Sequence, residues 1–212
     1  MVAVMLAPGD RWFADDRPIR RVHADASMFV GGLRALLLQS LHPLAMAGVA
    51  QHSDYRTDPW GRLQRTADYL AVTTFGPAVD AELVVARVRA VHERVKGTAR
   101  DGRSYSAGDP HLLRWVHICE VDSFLAAHRV YGAEPLTRAE ADAYVADMAI
   151  VGWAKLWEGQ GIDRAEFPAF GAWIGGTLHD HFGDYRANFV VAWVSIALAL
   201  TPWWVSPRLR RL

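Results

Sequence analysis

Apolar residues along most of this chain recur every three to four positions, which is the spacing of one face of an α-helix. No run alternates between apolar and polar residues as a half-buried strand does. The pattern therefore predicts an all-α fold of seven or eight helices. They are expected over residues 25–41, 43–51, 59–75, 78–96, 110–131 and 138–158, in a broken segment from Asp163, and from about Asp184 to Thr201.

Capping residues and prolines set most of these boundaries. Pro43 ends the first helix because its ring removes a hydrogen-bond donor and disfavours helical angles at the preceding residue. Residues 98–108 are rich in turn formers and are predicted to form an irregular loop. Helix starts are marked by an acidic cap followed by proline, or by a capping box, at Asp58-Pro59, Asp109-Pro110 and Thr137-x-x-Glu140.

The stretch Leu36–Gly76 combines an apolar helix, a His-Pro break, a polar turn and a second helix with a polar stripe. Gly31 and Gly32, near the start of the first helix, allow another backbone or a flat ligand to approach closely. So much polarity beside so much apolar surface predicts a pocket. The apolar side of the first helix, capped by Asp25 or Ser27, consists of Phe29, Leu33, Leu36, Leu37 and Leu41.

The second helix of this stretch, residues 59–75, has two faces. Its apolar face comprises Leu63, Ala67, Leu70, Ala71 and Thr74, and its polar stripe comprises Arg62, Arg65, Thr66, Tyr69 and Thr73. The stripe is either a solvated face with screened charges or a binding surface. In the second case, the planar guanidinium groups hold carboxylates such as haem propionates, or position an oxygen species.

His92 lies on the apolar side of the helix predicted over residues 78–96. A histidine in this position is either a satisfied core residue or an axial ligand to haem iron, which binds neutral imidazole in an apolar wall. Without a Cys-x-x-Cys-His step, the haem would be non-covalent. The apolar side consists of Ala81, Val84, Val85, Val88, Val91 and Val95.

A histidine and a carboxylate, His117 and Glu120, share the inner face of the helix over residues 110–131. They form either a buried hydrogen-bonded pair or a second shell that orients a bound cofactor. Cys119 lies in the middle of the same helix without a basic neighbour in sequence, which indicates a buried, unreactive thiol. The other members of this face are Leu113, Val116, Val121 and Phe124.

Composition excludes several classes of protein. A chain of 212 residues, 51% hydrophobic and 22% charged, suits one globular domain over residues 1–212. Its 23 basic and 23 acidic residues leave no basic surface for nucleic acid. One cysteine excludes an internal disulfide and a thiolate metal cluster. Motifs for a di-iron centre, a nucleophile elbow and a phosphate loop are absent, and His179 and His181 leave zinc as a minor alternative.

The two ends of the sequence differ in what they predict. The first residues lack the basic region and long apolar run of a signal peptide, so a cytoplasmic location is expected. Ala187–Val205 contains no charged residue and is followed by three arginines. It is expected to be either a core or interface helix, or a helix associated with a membrane surface.

Several blocks of the sequence resemble the MpaB/rubber-oxygenase family. They are HPLAMAGVAQHSDYRTDPWGRLQRTADYLAVTTFG, VHERVKG, GRSYSAGDPHLLRWVH and the later YVADM. The family includes bacterial latex-clearing proteins and a fungal oxygenase that trims a prenyl chain. The resemblance covers about residues 8–205. It implies a helical fold related to the globin arrangement, one b-type haem, and addition of dioxygen across a double bond of an isoprenoid.

The resemblance also implies roles for individual residues. His92 matches the family's proximal-ligand histidine, and Arg62 and Thr66 match polar residues near the haem. Latex-clearing members carry a lysine immediately before that threonine, which can close the distal iron position. Here the residue is Arg65, whose guanidinium stays protonated and does not bind iron. Many members also continue beyond Trp204, so a C-terminally short domain is expected.

The leading interpretation is a haem-b-dependent oxygenase that uses dioxygen on a hydrophobic, unsaturated, isoprenoid-like substrate. His92 would bind the metal, and Arg62, Arg65 and Thr66 would line the distal or propionate side. His117 and Glu120 would support the cofactor. The alternatives are a non-catalytic helical protein that binds haem or lipid, and a membrane-peripheral protein without a cofactor.

Overall fold

The computed structural model describes residues 10–156, with side chains as far as Gly152, and all of them belong to one compact unit. This part of the chain contains seven helices and one small hairpin, so the all-α prediction is confirmed. The elements are α1 Pro18–Ala24, α2 Ser27–Gln39, α3 Pro43–His52, α4 Pro59–Phe75, α5 Ala78–Arg94, β1 Lys96–Thr98, β2 Ser104–Ser106, α6 Pro110–Tyr131 and α7 Arg138–Leu156. The helices predicted beyond Asp163, with Ala187–Val205, His179 and His181, lie outside the described residues.

Local capping signals predicted the helix starts correctly. The Asp58 carboxylate accepts a hydrogen bond from the Gly61 amide at 2.8 Å at the start of α4. At the start of α7, the Thr137 amide donates to Glu140 Oε2 at 2.8 Å, and the Glu140 amide donates to Thr137 Oγ1 at 3.3 Å. These contacts satisfy amides that a helix start otherwise leaves without partners. They explain why α4 and α7 begin at the predicted residues.

Two elements were not predicted from the sequence. One is α1, and the other is the antiparallel hairpin of β1 and β2, in which Gly97 pairs with Tyr105. The loop predicted over residues 98–108 therefore contains a strand, and α5 ends at Arg94 instead of residue 96. Strands of three residues are too short to show the alternation that identifies a strand in a sequence.

The main core lies between α1, α4, α5, α6 and α7. Large apolar side chains from these helices pack together there: Phe13, Ile19, Val22, Tyr69, Val85, Val121, Phe124, Tyr144, Met148 and Val151. A second, smaller cluster forms under the hairpin, where Tyr105 packs with Ala99 and Leu112. The core thus fixes α4 and α5, which carry most of the predicted site residues.

The expected apolar side of α2 faces outward in the described structure. Helix α2 packs on α6 through Gly31, where an added Cβ would lie 2.8 Å from the Phe124 ring and 3.0 Å from its Cα. Gly31 therefore allows α6 to approach α2 closely. At Gly32, by contrast, no atom lies within 4 Å of an added Cβ. The exposed apolar side chains of α2 and its C-terminal end are Phe29, Val30, Leu33, Leu36, Leu37 and Leu41. The apolar side that the sequence assigned to this helix therefore lies at the surface of the described part of the chain.

Helix α4 turns a face inward that differs in part from the one predicted, whereas α5 buries its predicted apolar side. Tyr69 and Thr73, from the polar stripe of α4, are buried, whereas Ala67 from its apolar face is exposed. In α5, Val85 is buried and Val88 packs against the core as predicted, although Val91 near the end of the helix is exposed. The inward face of a helix is the one that neighbouring helices contact, and α1 and α7 supply polar partners as well as apolar ones.

Candidate functional site

Arg62 lies half-buried in the first turn and a half of α4, beside the C-terminal end of α3. Its Nη1 donates a hydrogen bond to Ser53 Oγ at 2.6 Å. Burial and the nearby charge of Arg65 lower the pKa of the Arg62 guanidinium below its usual value. No carboxylate in the described part of the chain pairs with it. A guanidinium carries five donors, so Arg62 can bind an anion while it keeps its bond to Ser53.

Arg65 and Thr66, the other members of the predicted polar group, are exposed. Arg65 Nη1 lies 3.5 Å from Asp58 Oδ2, and both side chains are more than half exposed. Thr66 Oγ1 donates back to the Arg62 carbonyl oxygen at 3.2 Å. The stripe therefore runs from exposed residues at the start of α4 to the buried Tyr69 and Thr73 further along.

His92 lies half-buried in the last turn of α5. Helices α4 and α5 contact each other and are joined only by Gly76 and Pro77. At 1.5 Å rise per residue, Arg62 and His92 each lie roughly 20 Å from this joint along their own helix. Both residues therefore lie near the ends of their helices that are remote from this joint. This placement depends on helix length and connection.

The pair predicted on α6 is buried, but the two side chains are not hydrogen-bonded to each other. His117 Nδ1 lies 3.8 Å from Glu120 Oε2, which is an ion-pair distance and too long for a hydrogen bond. His117 Nδ1 has no hydrogen-bond partner among the described atoms. The ring is enclosed by α7, where a Cβ on Gly152 would lie 2.6 Å from its Nε2. His117 and Glu120 thus belong to the interior between α6 and α7.

A polar group in the same interior was not predicted. His23 of α1 lies 2.7 Å from Thr74 Oγ1 through Nδ1 and 3.3 Å from the Tyr144 hydroxyl through Nε2. Burial lowers the pKa of His23 to about 3, and the Glu120 charge opposes this shift. Burial, together with the same carboxylate, raises the pKa of Tyr69 and of Tyr144. No local motif in the sequence distinguishes His23. Only a prediction of helix α1, which the sequence analysis did not make, would have pointed to it.

Cys119 has the character that its sequence context predicts. It is buried, and burial raises the pKa of its thiol to about 12, so it is not a nucleophile near neutral pH. Within residues 10–156, no three His, Cys, Asp or Glu side chains lie close enough together to hold a bare metal ion. A haem iron needs only one protein imidazole, because the porphyrin supplies the remaining nitrogen ligands.

Comparison with known proteins decides the family. Residues 20–206 match the family described as "ER-bound oxygenase mpaB/B'/Rubber oxygenase, catalytic domain". The chain belongs to this family. In this mpaB/rubber-oxygenase catalytic domain, the His-Pro break stands at the start of α3. The polar stripe that includes Arg62 lies on α4, and His92 lies on α5. The family consists of oxygenase domains, which supports an oxygenase activity in general.

Two curated relatives are similar over part of the domain. Uncharacterized proteins of Mycobacterium tuberculosis and Mycobacterium bovis are each 39% identical to this chain over 95 residues. The alignment covers 44% of this chain and 36% of each relative. No solved structure matches the chain. The globin-like arrangement implied by the resemblance therefore stays a prediction.

Proposed function

We propose that this chain is a haem-b-dependent oxygenase that uses dioxygen on a hydrophobic, unsaturated, isoprenoid-like substrate. One observation carries the proposal beyond family membership. A half-buried guanidinium without a carboxylate partner in the described region, Arg62, bonds to Ser53 at the end of α3. Helix α3 in turn contacts the hairpin that directly follows α5, which carries the half-buried imidazole of His92. A haem needs both an anion-binding group for its propionates and an axial imidazole.

Exposed apolar side chains on α2 and α3 fit a large apolar ligand. Helix α3, PLAMAGVAQH, is apolar over most of its length, yet none of its residues is buried. Apolar side chains of α2, with Val91 beside His92, are also exposed. A flat, mostly apolar macrocycle would remove such surface from water at about 25 cal/mol per Å². The residues that are present therefore fit the group.

The chain's own residues would act by position and charge. His92 would be the protein ligand to the metal, with Nδ1 or Nε2 as the donor atom. Arg62 would hold a propionate while Ser53 keeps the guanidinium in place. Arg65 would present N–H donors at the open side and would not bind the iron itself. Thr66 would offer its hydroxyl oxygen there as an acceptor, because its hydrogen is donated to the Arg62 carbonyl oxygen. When bound, haem b supplies the redox chemistry that activates dioxygen, and the apolar walls keep water away.

Reconstitution with haemin tests the metal-ligand assignment. Purified protein titrated with haemin is expected to give a Soret band that saturates at one haem per chain. His92→Gly should lose or shift the band, and added imidazole should restore it because the free base occupies the vacated position. The matched control is His111→Gly, an exposed histidine on α6. Absence of a Soret band in the unaltered protein would overturn the proposal.

Oxygen consumption separates an oxygenase from a binder. The haem-loaded protein, mixed with a dispersed isoprenoid such as squalene, is expected to consume dioxygen and to release carbonyl products. Arg62→Gln should weaken haemin binding about tenfold, as expected for loss of a group that supports a metal site. A protein that binds haemin through His92 but consumes no dioxygen with any unsaturated isoprenoid would be a non-catalytic haem protein.

The exposed apolar side of α2 favours a second candidate, a protein that binds lipid or a membrane surface. No single helix in the described part of the chain is long and apolar enough to cross a bilayer. Helices α2 and α3 together have sufficient length and composition, but they are bent by 106° at their junction. Sedimentation with anionic liposomes tests this function. A colourless protein that sediments with liposomes, and loses this property in the Leu33→Ser/Leu37→Ser variant, would favour it.

A further inference from the structure

A polar cluster joins the C-terminal end of α3 to the hairpin. The Tyr105 hydroxyl donates to Gln51 Oε1 at 2.9 Å, and His52 Nε2 lies 3.1 Å from the same hydroxyl oxygen. Gln51 Nε2 in turn donates to the Thr98 carbonyl oxygen at 3.0 Å. The three contacts link the last turn of α3 to both strands of the hairpin. None of these residues belongs to the predicted site.

The Tyr105 side chain is tightly held in this cluster. It is only 6% exposed, and its ring lies on the helix α3 side of the hairpin, 3.5 Å from where a Cβ on Gly48 would be. Opposite it in the hairpin, a Cβ on Gly97 would lie 2.6 Å from the Tyr105 hydroxyl. The hydroxyl reaches Gln51 because Gly97 has no side chain. The position of this one hydroxyl is therefore fixed from two sides.

The cluster connects the two halves of the proposed haem site. On the α5 side, the Ala107 amide donates to the Val95 carbonyl oxygen at 2.8 Å, and the Val95 amide donates to the His92 carbonyl oxygen at 3.2 Å. The hairpin is thus bonded to the turn that carries His92. On the α4 side, Ser53 immediately follows His52 and accepts the hydrogen bond of Arg62.

We infer that Tyr105 is a positioning residue that holds the His92 end of α5 and the Arg62 side chain at a fixed separation. The inference rests on the proposed function, because it assigns Tyr105 a role only if His92 and Arg62 share a haem. Tyr105 itself does not touch the cofactor. It acts through Gln51 and His52 on one side and through the hairpin strands on the other.

Removal of the hydroxyl tests this role with little effect on packing. Tyr105→Phe keeps the ring in contact with the hairpin cluster, and water can replace the lost bonds to Gln51 and His52, which are both exposed. The matched control is Tyr131→Phe, which removes a hydroxyl from an exposed tyrosine at the end of α6. Gln51→Leu removes the same contact from the partner's side. Haemin affinity and the electron paramagnetic resonance spectrum of the ferric protein are measured for each.

We expect Tyr105→Phe to weaken haemin binding about tenfold and to give more than one ferric species, because His92 is no longer held at one distance. Gln51→Leu should reproduce both effects, and the double variant should add little. The unfolding midpoint of the haem-free protein should match that of Tyr131→Phe. The inference is overturned if Tyr105→Phe binds haemin with the affinity and spectrum of the control. It is also overturned if affinity falls with an unchanged spectrum and a lowered unfolding midpoint, which indicates a purely structural role.

The outcomes separate this inference from the proposed function. If the unaltered protein gives no Soret band, both fail. If it binds haemin through His92, and Tyr105→Phe behaves like Tyr131→Phe, only the positioning role of Tyr105 fails.

Discussion

Helices α6 and α3 are both rich in apolar residues, yet their surroundings are opposite. Nine of the 22 residues of α6 are buried, whereas none of the ten residues of α3 is. Helix α6 lies between α2 and α7 and fills the core, and α3 contacts mainly the hairpin. Apolar content therefore does not decide burial by itself. It indicates that a helix needs a partner, and in the described region α3 meets too few protein neighbours to bury its side chains.

The predicted site residues also differ from one another in burial. His117 and Glu120 lie on the buried side of α6, next to His23 and Tyr144. Arg62 and His92 lie half-buried at the far end of the α4–α5 pair, and Arg65 and Thr66 are exposed there. Groups in the interior hold the helices together, whereas the groups at the other end, called the open end here, are half-buried or exposed. The following predictions test this division, beginning with the largest expected effect.

A pair of phenylalanines gives the largest expected contrast. Phe124 on α6 is 3% exposed, and Phe29 on α2 is 76% exposed. Phe124→Ala should lower the free energy of unfolding by about 3–5 kcal/mol because it leaves a cavity in the core. Phe29→Ala should change it by no more than about 0.5 kcal/mol. Urea unfolding followed by circular dichroism measures both, and equal losses would show that the α2 side chain is buried in solution.

Two arginine–aspartate pairs give a smaller contrast. The Asp147 carboxylate is buried and accepts hydrogen bonds from Arg17 Nε at 2.8 Å and from the Ile19 amide at 3.3 Å. Burial raises the pKa of Asp147, against the effect of Arg17. Arg17→Ala should lower the free energy of unfolding by about 1–3 kcal/mol, because a buried acceptor loses its charged donor.

The exposed pair of Arg65 and Asp58 is the control for that change. Arg65→Ala should alter the free energy of unfolding by less than about 1 kcal/mol, since water and salt screen the pair. Raising the salt concentration should weaken any effect of Arg65→Ala and leave that of Arg17→Ala nearly unchanged. If urea unfolding shows a larger loss of stability for Arg65→Ala than for Arg17→Ala, the division between interior and open end is contradicted.

The last effect expected is a dependence of stability on pH. Burial lowers the pKa of His23 to about 3 and lowers that of His128 as well. In the unfolded chain both have a pKa near 6.5, so the unfolded state binds more protons below that value. The free energy of unfolding should therefore fall as the pH is lowered from 7.5 to 5. The carboxyls of Asp25 and Glu140, whose pKa is held at about 2, contribute only at lower pH.

Variants assign this dependence to particular histidines. His23→Gln should make the fall between pH 7.5 and 5 shallower, because one group that resists protonation in the folded state is gone. His111→Gln, on an exposed histidine, should leave it unchanged. The measurement is the urea midpoint of each protein at several pH values. A slope that His23→Gln does not alter would mean that His23 titrates normally in the folded protein.

Much of the fold was predictable because helix starts depend on contacts within one turn. Asp58, Asp109, and Thr137 with Glu140 cap helices that begin at the next residue, and these helices have the expected bounds or starts. The hairpin was not predictable in this way, since three-residue strands carry no periodic signal. Helix α1 was missed as well, although Pro18 stands at its first position. His23 and its polar partners were missed with it.

The candidate site was predictable only in part. Family resemblance pointed to His92 and Arg62, and the family itself is confirmed by the match over residues 20–206. The orientation of the polar stripe was not predictable, because Tyr69 and Thr73 became inward residues only through packing on other helices. The hydrogen-bonded pair expected at His117 and Glu120 is wrong in its geometry, since 3.8 Å separates the two side chains.

By itself, then, the sequence determined the helical class, the capped starts, the inert character of Cys119 and the family, because each depends on local chemistry or on a pattern of residues in order. Only the tertiary structure decided which face of α2 and α4 points inward, bonded Arg62 to Ser53, and joined Gln51 to Tyr105. The physical reason is that an amphipathic pattern shows that a face needs a partner. Which partner it meets depends on helix lengths, on a two-residue joint, and on side chains far away in the chain.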